Sequence, residues 1–328
     1  MSAHPSVVCG VDGGGTSTRV LVATLDGEVL GEGRSGSGNL HDVGEAVLAH
    51  HVEEAWRAAW KEAGAAPRSA ARAFCSMASV GTPSNRETVE RLVARIGLAP
   101  LDRVRVDIDL VAALAGGLGG EPGIALIAGT GSSCFGRDAT GRTLQVGGWG
   151  SLLDDVGGAT WIGTQAMVAA VRAHDGRGIA TSLEARVMEH FGLSEMRELL
   201  PRIDADGATR ARRAELARLV TEEAERGDET SLAIMVDGAE GLAECAAVVE
   251  RELDFGIRGP SVVVTGGLAA GAHGYLTACH RALERRIPGA RCVLAAASNG
   301  RGAVLEALGD ELGRPIPDAV RETVVRHG

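Results

Sequence analysis

Lysine is almost absent from this 328-residue chain, in which Lys61 is the one lysine and the remaining cationic side chains are arginines. The phosphate loop GxxxxGK[ST] needs a lysine directly after its last glycine, and protein kinases need one on a strand. Lys61 instead lies in EEAWRAAWKEAG, a segment with a helical pattern. Any chemistry that requires a lysine in a phosphate loop therefore has no candidate here.

Basic regions and long apolar runs are also missing. The net charge is −10 and the pI is about 5.4, which disfavours electrostatic binding to nucleic acid. No apolar run approaches the roughly 20 residues that a membrane-spanning helix requires. The first residues, MSAHPSVVCGVDGGG, lack the pattern of a secretory signal. We therefore expect a cytoplasmic protein with neither nucleic-acid nor membrane partners.

Paired cysteines are the third absence. The chain has six cysteines, and no two of them form a CxxC pair: Cys9, Cys75, Cys134, Cys245, Cys279 and Cys292. Several fall in apolar segments, where a buried thiol is the ordinary interpretation. The spacing argues against an iron–sulfur cluster or a zinc site.

The segments that are present predict an α/β fold in two halves. Apolar runs bounded by turn residues predict strands near 6–12, 17–24, 28–34, 70–77, 103–108, 123–128, 262–264 and 291–295. Helical patterns cover 42–64, 85–97, about 109–116, most of 157–256, 268–286 and a last helix from about 300. The length predicts about two domains. Two similar βββαβα halves suggest a duplication, with extra helices inserted in the second.

One loop carries the strongest chemical signal. Asp12-Gly13-Gly14-Gly15-Thr16-Ser17-Thr18 stands between two apolar strands. Glycines let backbone N–H groups approach phosphate oxygens, and hydroxyls add further donors. A carboxylate at the strand end can hold a hydrated Mg²⁺ beside the phosphates. The alternative is a tight hairpin with a capping aspartate.

Two further glycine loops follow apolar strands. Gly129-Thr130-Gly131-Ser132 repeats the glycine–hydroxyl chemistry at the start of the second half, which suggests a nucleotide held between two domains. Gly266-Gly267 lies between a strand and a helix and permits close approach of a ring or ribose, so it is a candidate adenosine site. By itself it could equally be an ordinary strand–helix turn.

Taken in order, these loops resemble the two phosphate motifs and the adenosine motif of the actin-like ATPase superfamily. Within it the chain most resembles the N-acetylglucosamine kinase and BadF/BadG/BcrA/BcrD ATPase family. The matching text is VDGGGTSTRVLV, SGSGNLHDVG, DIDLVAAL, AGTGSS, GGWGSLLDDVGGATWIG and VVTGGLA. The resemblance implies two actin-like (ribonuclease H-like) βββαβα domains with a nucleotide and sugar cleft between them. We expect domains at 1–118, joined by a C-terminal helix at about 298–328, and at 119–297.

The resemblance also implies roles for single residues. Asp109 aligns with the catalytic aspartate of the family, although Asp107, two residues earlier, is a rival for the role. Four positions match sugar-binding positions of the family: Asn39, Gly148, Trp149 and Asp155. Gly13 to Thr16, Thr18 and Gly129 to Ser132 match the ATP phosphate contacts, Gly266 and Gly267 the adenosine contacts, and Asp12 the acid that holds Mg²⁺ through water.

The resemblance implies ATP- and Mg²⁺-dependent phosphorylation of N-acetylglucosamine or glucosamine to the 6-phosphate. Members of the family are commonly dimers, so we expect a homodimer. Two segments depart from the family pattern. Residues 297–303 differ from the usual proline- and alanine-containing turn, and Leu153-Asp154-Asp155-Val156-Gly157-Gly158 stands where the family usually has Leu-Gly-Asp-Glu-Gly-Ser. The additional acid, Asp154, suggests a preference for an acceptor with a free ammonium, such as glucosamine.

Other interpretations of the sequence remain. The acceptor could be a cyclitol or a muramic-type sugar, and a non-catalytic sugar- or nucleotide-binding regulator could share the fold. The iron–sulfur activator of 2-hydroxyacyl-CoA dehydratases is disfavoured by the scattered cysteines. Gly31 to Gly36 satisfies GxGxxG but follows a hairpin strand and does not open a helix, and Asp254-Phe255-Gly256 lacks every partner motif of a protein kinase.

Overall fold

The computed structural model describes residues 6–205 and 210–326. The chain forms two compact units, one built from the residues up to Glu121 together with those from Leu294 onward, the other from Pro122–Val293. No helix in the described ranges is both long enough and apolar enough to cross a membrane.

The strands in the described ranges are short and mostly buried. In chain order they are β1 Val7–Gly13, β2 Thr18–Thr24, β3 Val29–Ser35, β4 Arg72–Met77, β5 Val104–Ile108, β6 Gly123–Ala128, β7 Ser132–Arg137, β8 Thr143–Val146, β9 Ser261–Thr265 and β10 Arg291–Val293. The central strands β1, β4 and β6 are nearly all apolar and buried, as strands covered on both faces are. The strand predictions are confirmed within a few residues.

The helices are α1 Leu40–Glu62, α2 Pro83–Ile96, α3 Asp109–Gly117, α4 Ala159–His174, α5 Leu183–Phe191, α6 Leu199–Ala205, α7 Arg210–Glu225, α8 Glu229–Glu252, α9 Gly267–Gly271, α10 His273–Arg286, α11 Asn299–Leu312 and α12 Asp318–Val325. The sequence pattern did not predict α12. The single helix predicted over 268–286 is wrong, because the chain breaks at Ala272 into α9 and α10.

Each unit has one mixed sheet of five strands, and the two sheets have the same order. The first is β3-β2-β1-β4-β5 and the second is β8-β7-β6-β9-β10. In both, the first three strands form an antiparallel meander and the last two pair in parallel. The expected α/β class with two βββαβα-type halves is therefore confirmed. The helices α4 to α8 stand between β8 and β9, where the first unit has only α1.

Small residues let α11 pack closely within the first unit. A Cβ on Gly302 would lie 1.9 Å from the carbonyl oxygen of Ala112 in α3, and one on Gly10 would lie 2.6 Å from the backbone nitrogen of Val304. The helix contributes Val304, Leu305 and other fully buried side chains to the core of this unit. The C-terminal segment is thus an integral part of the first unit.

Local signals place the start of α1, next to a candidate sugar residue. Asn39 is its N-cap, and Asn39 Oδ1 accepts a hydrogen bond from the backbone N–H of His41 at 3.0 Å. Gly44 interrupts the helix with φ of 76°, so a short turn precedes the regular helix. The helical pattern predicted from residue 42 did not show this kink.

Candidate active site

The first hairpin presents its glycines at the edge of the first unit. Asp12 lies in β1 opposite Arg19 of β2 and Ser76 of β4, one residue before the hairpin. The turn closes with a hydrogen bond from the Gly14 N–H to the Ser17 carbonyl oxygen at 3.0 Å. Gly15 and Thr16 are exposed, as phosphate-binding residues must be.

Thr18 differs from its neighbours because it is fully buried. Its hydroxyl has no hydrogen-bond partner among the described residues. The Thr18 hydroxyl therefore does not reach the surface of the hairpin as Thr16 does, and its phosphate contact stays a prediction.

A second loop folds onto this hairpin. The Gly38 N–H donates to the Gly14 carbonyl oxygen at 2.9 Å, and a Cβ on Gly38 would lie 2.4 Å from the Cα of Gly13. Only glycine permits such an approach. The same loop carries Asn39, so the candidate sugar residue and the first phosphate hairpin belong to one packed corner of the first unit.

Asp109 begins α3 directly after β5, and its charge reaches Asp12. Burial, reinforced by the negative charge of Asp109, raises the pKa of Asp12 to about 6 against the weaker opposing effect of Arg19. Burial likewise raises the pKa of Asp109, while hydrogen bonding to the backbone N–H of Leu110 lowers it. Two partly buried carboxylates thus lie in the same region of the first unit, and the charge of Asp109 disfavours the ionised form of Asp12.

The rival aspartate has a different environment. Asp107 Oδ1 accepts from the Ile108 N–H at 2.9 Å and lies 3.3 Å from Arg86 Nη2, and Arg105 Nη1 is 4.0 Å from Asp107 Oδ2. Two guanidinium groups therefore balance its charge. A carboxylate in that position is suited to an ion pair, which favours Asp109 as the candidate base.

The second hairpin is fixed to the start of α4. The N–H groups of Ala159 and Thr160 donate to the carbonyl oxygens of Gly129 and Thr130 at 2.9 and 3.0 Å. Ser132 Oγ donates to the Val156 carbonyl oxygen at 2.8 Å, which commits this hydroxyl to the fold. The backbone of the loop and the exposed Thr130 are what remain for a ligand.

The third loop lies against the second. Gly266 has φ of 106°, and a Cβ there would lie 2.5 Å from the Ala128 carbonyl oxygen and 2.9 Å from the Gly129 nitrogen. Gly267 is exposed and opens α9. In the second unit the two predicted nucleotide loops are therefore neighbours in space. Gly129 and Gly266 are 137 positions apart in the sequence, so the sequence pattern alone could not show that they are close.

Asp155 is more enclosed than a sugar-binding carboxylate was expected to be. Asp155 is 2% exposed, and its φ is 58°. Its Oδ2 pairs with Nη2 of Arg210 at 2.8 Å, and its Oδ1 accepts from the Gly150 N–H at 3.2 Å. Burial raises the pKa of Asp155, and the positive charge of Arg210 is the largest effect that lowers this pKa.

The GGWG segment (residues 147–150) has three glycines in left-handed backbone conformations and one exposed tryptophan ring. Gly147, Gly148 and Gly150 have φ between 76° and 92°. A Cβ on Gly148 would lie 2.7 Å from Ser133 Oγ, so this glycine packs against β7. Trp149 is 77% exposed, and it is therefore available to cover a ligand rather than part of the core.

Arg210 is the residue that sequence reasoning missed. It is the first residue of α7, 55 positions after Asp155, and no glycine motif or charge pattern points to it. A Cβ on Gly131 would lie 2.2 Å from Arg210 Nη2 and 2.4 Å from Asp155 Oδ2. The ion pair is thus seated on the second hairpin.

The carboxylates fit the predicted Mg²⁺ better as holders of a hydrated ion than as a ligand cage. No cluster of three or more histidine, cysteine or acidic side chains suited to a metal occurs within 6–205 and 210–326. A nearby cation would, however, relieve the unfavourable ionisation of Asp12 beside Asp109. The residues therefore fit a Mg²⁺ that keeps most of its water and its phosphate ligands.

The repeated sheet order, with a glycine–hydroxyl hairpin between the first two strands of each sheet, defines an actin-like ATPase fold of the kind found in sugar kinases. A model of the BadF/BadG/BcrA/BcrD ATPase family matches residues 9–307. The chain belongs to that family, as the sequence predicted.

Individual relatives agree with this assignment. An N-acetylmuramic acid/N-acetylglucosamine kinase from Clostridium acetobutylicum is 31% identical over 244 residues, covering 74% of this chain and 79% of the relative. A glucosamine kinase from Vibrio cholerae is 31% identical over 182 residues, covering 56% and 60%. The solved structure of a candidate N-acetylglucosamine kinase from Chromobacterium violaceum has a TM-score of 0.75 at 26% identity, covering 93% and 99%. These matches confirm the predicted class, an ATP-dependent kinase.

Proposed function

We propose that this chain transfers the γ-phosphoryl group of ATP to a hydroxyl of an amino sugar of the N-acetylglucosamine type, forming the 6-phosphate, with Asp109 as general base. The observation that carries the proposal is the placement of Asp109 within electrostatic reach of Asp12, at the end of a glycine–hydroxyl hairpin. The names of the relatives, which are kinases of N-acetylglucosamine, N-acetylmuramic acid and glucosamine, support the acceptor class.

Asp109 supplies the proton acceptor. As the acceptor oxygen attacks the γ-phosphorus, its proton passes to the Asp109 carboxylate. Burial raises the pKa of Asp109, which makes the ionised form a stronger base. The start of α3 keeps that ionised form accessible, because helix N-termini favour negative charge.

The hairpins supply the nucleotide contacts. We assign phosphate binding to the backbone N–H groups of Gly13 to Gly15 and of Gly129 to Ser132, with the hydroxyls of Thr16 and Thr130, and adenosine binding to Gly266 and Gly267. Asp12 would hold a hydrated Mg²⁺, which neutralises phosphate charge when bound. Asn39, Gly148, Trp149 and the Asp155 position are assigned to the sugar.

The test is sugar-dependent ATP turnover in Asp109→Asn beside Asp107→Asn. Loss of a general base lowers kcat by about 10² to 10⁴-fold, and we expect this in Asp109→Asn with the Kd for N-acetylglucosamine little changed. Asp107→Asn is the matched control. It removes a carboxylate that lies two residues before Asp109 and whose charge is balanced by Arg86. Full turnover in Asp109→Asn, or an equal loss in both variants, would show that Asp109 is not the base.

The product identifies the phosphorylated position. Phosphorus NMR of the purified product should show coupling to the two protons on C6. Coupling to a single ring proton would place the phosphate elsewhere and would contradict the proposed 6-phosphate.

A further inference from the structure

The group that meets solvent at the Asp155 position is a cation rather than a carboxylate. The Asp155 side chain is 3% exposed, whereas the side chain of its partner Arg210 is 50% exposed. A sugar that reaches this position therefore encounters the guanidinium first. The sequence showed only the acids Asp154 and Asp155.

The charge balance of the segment changes accordingly. The positive charge of Arg210 compensates Asp155 at 2.8 Å, and Asp154 is the other charged group that acts on Asp155 here. Asp154 Oδ2 in turn faces the backbone N–H of Trp149 at 3.5 Å. An acceptor with a free ammonium would thus meet a half-exposed guanidinium as well as the negative charge of Asp154. The preference for glucosamine that Asp154 suggested stays a separate prediction, which a comparison of acceptors tests.

Arg210 has the geometry to bind an anion while it keeps its ion pair. Asp155 engages Nη2, and a guanidinium carries five N–H donors in a rigid fork. The arginine is fixed at one end by Asp155, and its backbone carbonyl oxygen accepts from Thr160 Oγ1 at 3.2 Å. A cation held in this way is preorganised, which reduces the entropic cost of binding a ligand.

We propose that Arg210 is a specificity-determining residue that selects an amino sugar bearing a carboxylate substituent, of the N-acetylmuramic acid type, over one bearing a free ammonium. This inference depends on the proposed sugar kinase function. The carboxylate would accept hydrogen bonds from the exposed edge of the guanidinium while Asp155 occupies Nη2. Arginine suits this task because carboxylates match its planar fork.

The experiment compares N-acetylmuramic acid, N-acetylglucosamine and glucosamine as acceptors, and measures kcat/KM for each and Kd by calorimetry. The variants are Arg210→Met, Arg210→Lys and, as matched control, Arg218→Met. Arg218 lies on the same helix, is 74% exposed and pairs with Glu222. A charge-assisted hydrogen bond is worth a factor of roughly 10 to 100.

We therefore expect Arg210→Met to weaken Kd and kcat/KM for N-acetylmuramic acid by at least about ten-fold more than for N-acetylglucosamine. The loss for glucosamine should be the smallest. Arg210→Lys should restore part of the preference, and Arg218→Met should leave all three acceptors unchanged.

Three results would overturn the inference. The first is that the wild-type protein does not bind N-acetylmuramic acid in the calorimeter. The second is that Arg210→Met weakens the binding of all three sugars equally, which would mean that Arg210 only supports Asp155. A uniform rise in KM for MgATP would assign Arg210 to the nucleotide. Absence of sugar-dependent turnover with every acceptor, by contrast, would count against the proposed kinase function, while calorimetry still decides the role of Arg210.

Discussion

The environment of Asp12 disfavours the ionised form of its carboxyl group. The side chain is partly buried at the end of β1, and Asp109 adds a second negative charge nearby. A carboxylate with a pKa of about 6 is half neutral near pH 6. The proposed function of Asp12 as a holder of a cation requires the charged form and should therefore depend on pH in a range that assays reach.

Activity should fall on the acid side of this pKa. Below about pH 6 Asp12 is protonated in the nucleotide-free protein, so kcat/KM for MgATP should decrease about ten-fold for each pH unit. The measurement is a pH profile of kcat/KM at saturating sugar, with Asp12→Asn for comparison. The variant should be nearly inactive; a profile that stays flat down to pH 5 in the wild type would contradict the assignment.

The same residue should make the folded protein less stable above its pKa. The pKa is about 6 in the folded state against an ordinary 3.8, so the folded state binds more protons and stability decreases as pH rises from about 4 to 6. The shift corresponds to about 3 kcal/mol. Asp12→Asn should therefore raise the free energy of unfolding at pH 8 by up to that amount.

Urea unfolding at pH 8 and pH 4 checks this expectation. The gain should fall to about 0.5 kcal/mol at pH 4, where Asp12 is neutral in the folded chain and, close to its ordinary pKa of 3.8, about half neutral in the unfolded chain. A variant that is equally destabilised at both pH values would show that the carboxylate supports the fold instead of opposing it.

At the level of elements, the first hairpin depends on its contact with the loop before α1. Gly38→Ala places a methyl group 2.4 Å from Gly13 Cα, where backbone has to move. We expect a loss of about 1–3 kcal/mol in unfolding free energy and a higher KM for MgATP, because overpacking shifts the hairpin.

Gly15→Ala is the control for this change. A Cβ at Gly15 would have no heavy atom within 4 Å, although the residue belongs to the hairpin that Gly38 contacts. Unfolding free energy should therefore stay within about 0.5 kcal/mol of the wild type. Unaltered stability and KM in Gly38→Ala would show that the hairpin does not need this contact.

Strands were easier to predict from the sequence than the ends of helices or the environment of the site. The apolar runs of β1, β4 and β6 end at glycine or polar residues, so hydrophobicity alone marks them. The kink at Gly44 and the break at Ala272 depend on backbone angles that no periodicity encodes. The pairing of Asp155 with Arg210 joins residues 55 positions apart, and only the folded chain brings them together.

At the scale of the molecule, a buried acid fixes the returning C-terminal segment to the first unit. Glu306 in α11 is 1% exposed and accepts from Arg105 of β5 and from Arg314, each at 2.6 Å. The guanidinium of Arg105 also stacks over Phe74 at 4.3 Å. These contacts join β4, β5 and α11 in one cluster.

Glu306→Gln should lower the unfolding free energy by about 1–2 kcal/mol, because it removes the buried acceptor of two charge-assisted hydrogen bonds, while Arg105 and Arg314 keep their ion pairs with Asp310. Denaturant melts would measure the change. Glu322→Gln is the control, since Glu322 is 62% exposed and its pair with Arg326 contributes at most about 1 kcal/mol. Similar effects of the two substitutions would exclude a special role for the buried cluster.

The matching sheet orders mean that the strands of the first hairpin have counterparts in the second, although the first loop is one residue longer. Asp12 is the last residue but one of β1, and its counterpart in β6 is Ile127. Such a pattern is what a gene that doubled within itself leaves behind once its copies specialise. The first hairpin carries an acid and the second only glycines and hydroxyls, so two halves with the same strand order differ at the position where the proposed mechanism needs a charge.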